Sequence, residues 1–187
     1  AQTKVAEMIA GQMAGYLING VITNAVNFPS IPLEMMSGMK PYLDLVERMG
    51  SLMGQIVRTP QDIAITYSGD VTKYDIRVLT HAVLKGLLGA FTDTPVNHVS
   101  APAVARSKGI RVEETVSLQD EDYANLIRIR FPGFDDELNE IWGTVFAKNA
   151  LRIVRLGNVY MDAMLEGHML IVCNVDRPGV IGSLGTT

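Results

Sequence analysis

Val5, Met8, Ile9, Met13, Tyr16 and Leu17 recur at spacings of three and four, with Lys4, Glu7 and Gln12 between them. That period predicts an amphipathic helix ending near Asn19. Asn27-Phe28-Pro29-Ser30-Ile31-Pro32 then interrupts regular structure, because each proline lacks a donor and drives the preceding residue toward extended geometry. Pro41 suits the first position of a second helix, along which Tyr42, Leu45, Val46, Met49, Leu52, Met53, Ile56 and Val57 again repeat at three and four. Gly50 and Gly54, four apart, would permit close helix packing, although in a soluble protein that spacing reads as incidental.

From Asp62 the period drops to two: Ile63, Ile65 and Tyr67 alternate with Ala64 and Thr66 up to a turn at Ser68-Gly69-Asp70. Asp75 is placed to cap a third helix with Ile76, Leu79, Val83, Leu84, Leu87 and Leu88 as its buried stripe, closed by Gly89 or by Thr94-Pro95. A short helix from Ala101 to Lys108 stops at Gly109. Strand-like segments follow at Ile110 to Leu118, Asn125 to Phe131, Glu140 to Ala147, Leu151 to Leu156, Val159 to Met164 and His168 to Cys173. Pro132-Gly133 marks a turn, and Gly157-Asn158 supplies a two-residue hairpin loop. The expected class is α+β, with helices packed on a mainly antiparallel sheet. The last strand and the turn after it are assigned to a second domain, with a boundary near Leu165-Glu166-Gly167.

Composition narrows the chemistry. With 48% hydrophobic residues among 187, a real core can form, and a net charge of -4 offers no field for nucleic acid or an anionic membrane. One cysteine, Cys173, allows no internal disulfide and suits a reducing cytoplasm. No apolar stretch is long enough to cross a bilayer and no signal peptide opens the chain. Ala1 in place of an initiator methionine, and a helix barely begun after Pro178-Gly179, read as cuts from a longer protein.

No G-x-G-x-x-G follows a strand and no G-x-x-x-x-G-K-[ST] occurs, so the chain lacks the backbone cradle for NAD or a nucleoside triphosphate, and no cofactor is expected in it. His81, His98 and His168 are too scattered to announce a metal site. Asp120-Glu121-Asp122 and Asp135-Asp136-Glu137 read as solvated loops, and no catalytic residue is assigned. Arg152 and Arg155, three apart on one strand, are expected on opposite faces, while Arg128 and Arg130 share a face. These arginines fit a solvated sheet face, or else a phosphate or carboxylate pocket in which strand arginines meet a helix lysine such as Lys85. At the end, Asn174-Val175-Asp176-Arg177-Pro178-Gly179 leads an apolar strand into a helix whose free N–H groups would face a ligand carboxylate, with Gly179 permitting close approach.

Asn174 to Gly185, NVDRPGVIGSLG, resembles the opening of an ACT domain, a βαββαβ ligand-sensing module, in the version carried by D-3-phosphoglycerate dehydrogenases. The opening AQTKVAEMIAGQMAGYLINGVITNAVNFPSI resembles the helix after that enzyme's catalytic histidine and the connector beyond it. LKGLLGAF, NHVSAPAVARSKGI, LIRIRF and GTVFAKNALRIVRLGNVYMDAM resemble the intervening domain of its long form. The resemblance implies a helix and connector at 1–27, an intervening domain at 28–165 and the start of an ACT domain, first strand and partial helix, at 166–187. It implies a regulatory and oligomerisation segment without the active site. The parent would be an NAD-dependent cytoplasmic enzyme of L-serine biosynthesis that forms a homo-oligomer and responds to serine. Asn174, Asp176 and Gly179 would then contact L-serine, while Arg152, with Arg155 and Lys85 as further candidates, would bind a phosphate-bearing small molecule. Nucleic acid and membrane are not expected partners. Two other readings stay open: the related regulatory part of an iron-sulfur L-serine dehydratase, and a free-standing small-molecule binding protein. The opening helix favours the dehydrogenase.

Overall fold

The computed structural model describes residues 2–19, 33–118, 122–134, 137–147 and 149–173, with 178, 179, 182, 185 and 186. Helix α1 (Gln2–Asn19) carries its apolar stripe exposed, Val5, Met8, Ile9, Met13 and Leu17 all facing outward. Helix α2 (Leu33–Val57) precedes β1 (Asp62–Gly69), a short 3₁₀ turn (Asp70–Lys73), α3 (Ile76–Gly89) and α4 (Ala101–Ser107). Strands β2 (Arg111–Ser117), β3 (Asn125–Arg130), β4 (Glu140–Phe146), β5 (Ala150–Leu156) and β6 (Val159–Ala163) complete the described elements. They form a six-stranded sheet in the order β2-β1-β3-β4-β5-β6. Among the described strands only β1 and β2 run parallel, joined across α3 and α4. The remaining pairs are antiparallel, so the class is α+β.

One face of the sheet supplies the core. Ile63, Ile65, Tyr67, Ile127, Ile129, Ile141, Ile153 and Leu156 are buried beneath Leu45, Val46, Met49 and Met53 of α2 and Leu79, Val83, Leu87 and Leu88 of α3. The expected cap of α3 is formed: the Asp75 carboxylate accepts from the Arg77 backbone N–H at 3.0 Å and pairs with its guanidinium at 2.6 Å. That guanidinium holds the Asp75 carboxyl below the usual carboxylate range. Under α3 a polar chain runs from the Tyr67 hydroxyl to Thr80 Oγ1 at 2.9 Å and on to the Glu114 carboxylate. Burial pushes the Tyr67 hydroxyl far up, so it stays a donor.

Three expectations change. Helix α2 begins at Leu33, eight residues before Pro41, which lies inside it. Proline there costs one backbone bond, and burial of Met39 at 1% exposure, next to Tyr42 in the core, offsets that loss. The glycine spacing in α2 is not incidental, because Gly50 and Gly54 face the backbone of α3 at Val83 and Leu87 while Gly86 of α3 faces Glu47 and Ser51. Finally, His168 to Cys173 forms no strand. These residues are exposed, Leu170 at 81%, and have no ladder partner among the described residues, without which an apolar run does not become a strand.

Candidate functional site

The polar face of the sheet, turned away from α2 and α3, holds the densest chemistry. Its central rung crosses five strands in register: Thr66 opposite Arg128, Arg128 opposite Trp142, Trp142 opposite Arg155, and Arg155 opposite Tyr160. Cations and aromatic rings therefore alternate. The guanidinium carbons of Arg128 and Arg155 lie 4.3 and 4.5 Å from the Trp142 ring centroid, and Arg155 lies 5.2 Å from that of Tyr160. Tyr160 meets Trp142 edge-on at 6.0 Å. Partly desolvated guanidinium groups over an indole are each worth about 1–2 kcal/mol, so the rung orients its own arginines.

Arg152 sits on the neighbouring rung, opposite Thr144. Simple alternation puts Arg152 and Arg155 on opposite faces, but against β4 Ile153 and Arg155 pair with the successive residues Gly143 and Trp142, leaving Val154 as an extra residue. That bulge resets the alternation. Thr144 and Trp142, the partners of Arg152 and Arg155, are two apart and share a face, so the two arginines share it too. Arg155 Nε donates to the Gly157 carbonyl at 2.7 Å, and Arg152 Nε pairs with Asp162 at 3.0 Å. Trp142 Nε1 donates to Glu140 at 2.6 Å.

Lys85 is not part of this face. It lies on α3, where its ammonium is 2.6 Å from Glu47 of α2, on the helical side of the sheet. His98 stands 3.7 Å from the same carboxylate. Burial pushes the His98 imidazole below its usual pKa, helped by Lys85 and opposed by Glu47. Burial also depresses His81, opposed chiefly by Glu114. Gly179 is described, with a φ of 96° in a turn, whereas Asn174 and Asp176 lie outside the described residues. Among the described residues no group of three His, Cys, Asp or Glu side chains could hold a metal, and no helix is long and apolar enough to cross a membrane. Sequence reasoning weighed the arginines but missed Trp142 and Tyr160 as their partners, because cross-strand register joins residues 5 to 14 positions apart on different strands.

Comparison with known proteins fixes the context. A family model described as the D-3-phosphoglycerate dehydrogenase intervening domain matches residues 38–157, from within α2 to the β5–β6 hairpin. D-3-phosphoglycerate dehydrogenase of Bacillus subtilis is 30% identical over 99% of this chain and 35% of its own length. Those of Methanocaldococcus jannaschii and Archaeoglobus fulgidus are 31% and 32% identical over 100% of this chain, again across 35% of their own length. The chain thus spans about a third of the curated relatives it matches. It belongs to the D-3-phosphoglycerate dehydrogenase family, and residues 38–157 are the intervening domain of that family.

Proposed function

We propose that this chain is the regulatory and oligomerisation segment of an NAD-dependent D-3-phosphoglycerate dehydrogenase, contributing no catalytic residue and sensing a phosphate-bearing small molecule on its polar sheet face. The observation that carries the reading is the bulge at Val154, which turns Arg152 and Arg155 to one side. Arg155 is held by Trp142 and Gly157, so little entropy remains to be lost when its outer N–H groups meet an anion. Arg152 is engaged by Asp162, whose side chain is 76% exposed and easily displaced. An incoming phosphate would exchange with that carboxylate and gain the bidentate contact a guanidinium offers. The family match favours the dehydrogenase over an L-serine dehydratase.

The test is thermal unfolding of the chain with and without 3-phosphoglycerate. A ligand bound only to the folded state at 100 times its Kd stabilises by about 2.7 kcal/mol, a shift of several degrees at this chain length. Arg152→Ala is expected to weaken binding by tenfold or more, whereas Asp162→Asn, by removing the competing carboxylate, is expected to tighten it about threefold, as suits an exposed ion pair. No shift in the wild type, or weaker binding in Asp162→Asn, would return Arg152 to the role of a solvated sheet residue.

In the complete enzyme L-serine is proposed as the feedback effector, with Asp176 and Asn174 accepting its ammonium and N–H groups near Gly179 meeting its carboxylate. Asn174→Ala in that enzyme is expected to raise the serine concentration for half-inhibition while sparing turnover without serine. An unchanged serine response would remove residues 174 to 179 from the effector site.

A further inference from the structure

A cleft opens where the C-terminal ends of α2 and α4 converge on the start of β1. The cleft there has a volume of about 560 Å³, within the range of small-molecule sites. Arg58, Thr59, Pro60 and Gln61 form one wall, and Phe91, Lys108 and Ile110 the other. Pro60 and Ile110 are buried, Phe91 is half-buried, and both cations are exposed. The floor is apolar and the rim is positive.

Among the described residues that line the cleft, none but Arg58 and Lys108 is charged, and none is acidic. Asp62, the acid nearest in sequence to Arg58, has its two oxygens held by the Arg111 guanidinium at 2.5 and 2.8 Å. Among the described residues neither Arg58 nor Lys108 forms an ion pair. The Lys108 ammonium lies 5.9 Å from the centroid of the Phe91 ring that lines the cleft.

Arg58 adds an independent observation. It directly follows the last residue of α2 and has a φ of 52°, donating its N–H to the Gly54 carbonyl at 3.3 Å. Glycine is the usual occupant of this left-handed stop, because a β-carbon is strained there. A cation near a helix C-terminus complements the dipole, which accounts for the charge of Arg58 and Lys108. It does not account for a large side chain at a position that favours none, nor for the two cations meeting over an apolar floor.

We infer that this cleft binds a small organic anion, with its charged group held by Arg58 and Lys108 and its apolar body against Phe91, Pro60 and Ile110. The inference is independent of the phosphate reading of the sheet face. The test therefore uses the Arg152→Ala chain as background, with calorimetric titration of phenyl phosphate and, separately, inorganic phosphate. In the Arg152→Ala chain phenyl phosphate is expected to bind at least tenfold tighter than inorganic phosphate. Lys108→Gln is expected to weaken it tenfold at an unchanged melting temperature. Arg58→Gly is expected to weaken it equally while raising the melting temperature of the free chain, since glycine relieves the left-handed backbone. The inference is overturned if phenyl phosphate fails to bind the Arg152→Ala chain, if inorganic phosphate binds as tightly, or if Arg58→Gly and Lys108→Gln leave binding intact.

Discussion

Replacing Gly86 with alanine is expected to lower the melting temperature by about 5 °C or more, while the same change at Gly89, one turn further along α3, is expected to leave it unchanged or raise it slightly. A methyl group on Gly86 would overlap the Glu47 carbonyl oxygen and lie 2.9 Å from both the Glu47 carbonyl carbon and the Ser51 nitrogen. All three atoms are backbone and cannot rotate away. The contact is reciprocated by α2, where a methyl on Gly50 would lie 3.0 Å from the Leu87 nitrogen and one on Gly54 2.8 Å from the Ala90 β-carbon. Relief requires α2 and α3 to move apart, which opens the core between Val46, Met49 and Met53 on one side and Val83 and Leu87 on the other. Overpacking costs about 1–3 kcal/mol, and more when backbone must shift, against about 1 kcal/mol gained in helix propensity. At Gly89 no atom lies within 4 Å of an added methyl, so only the propensity gain remains. Circular dichroism melts of the two variants decide the matter by sign. A Gly86→Ala chain that melts at or above the wild type would mean that the helices do not cross backbone to backbone.

This crossing also shows where sequence patterning stops being informative. The spacing of Gly50 and Gly54 is visible in the chain, but its meaning depends on Gly86, which lies on another helix. Features set by neighbouring residues were legible. The Asp75 cap, the alternation of β1, the stop at Gly109 and the Gly157-Asn158 hairpin each depend on a few adjacent positions, and each is formed. Features set by distant partners were not. The start of α2 depends on burial of Met39 in the tertiary core, and His168 to Cys173 has the composition of a strand without a strand to pair with.

The polar face follows the same division. Its arginines could be named from sequence, but their arrangement could not, because ALRIVRL reads as continuous alternation and only the unequal pairing of β5 with β4 reveals the extra residue. Counting by two sent Arg152 and Arg155 apart, whereas the bulge brings them together. Lys85 failed as their partner for a similar reason. A lysine offers its charge to whichever acid the fold supplies, and here that acid is Glu47 across the helix crossing. The same crossing that demands glycine at Gly86 thus also decides which charges face the sheet and which do not.

Asn125→Ala is expected to destabilise the chain by about 3 kcal/mol, again several degrees or more in melting temperature. Asn125 opens β3 and is buried at 7% exposure. Its carboxamide behaves as a rung of the sheet: Nδ2 donates to the Val145 carbonyl at 3.0 Å and Oδ1 accepts from the Val145 N–H at 2.9 Å. Thr144 closes the arrangement, with its hydroxyl donating to the Asn125 carbonyl at 2.6 Å and lying 3.1 Å from Oδ1. Alanine would leave a buried donor and a buried acceptor of β4 without partners, each costing about 1–3 kcal/mol. Asn125→Asp separates this account from simple loss of packing, since it keeps the shape but replaces a donor with an oxygen facing the Val145 carbonyl. The new carboxyl would be favoured in its protonated form in the folded chain, raising its folded pKa above an unfolded value of about 4. Its stability would then be greatest below that unfolded value and would fall as pH rises through the folded one. Measured against the wild type at each pH, the Asn125→Asp deficit is expected to be small near pH 4 and to reach or exceed that of Asn125→Ala at pH 7. Urea melts at the two pH values give the comparison, and an alanine variant as stable as the wild type, or an aspartate deficit that does not change with pH, would show that β3 and β4 are not joined through this side chain.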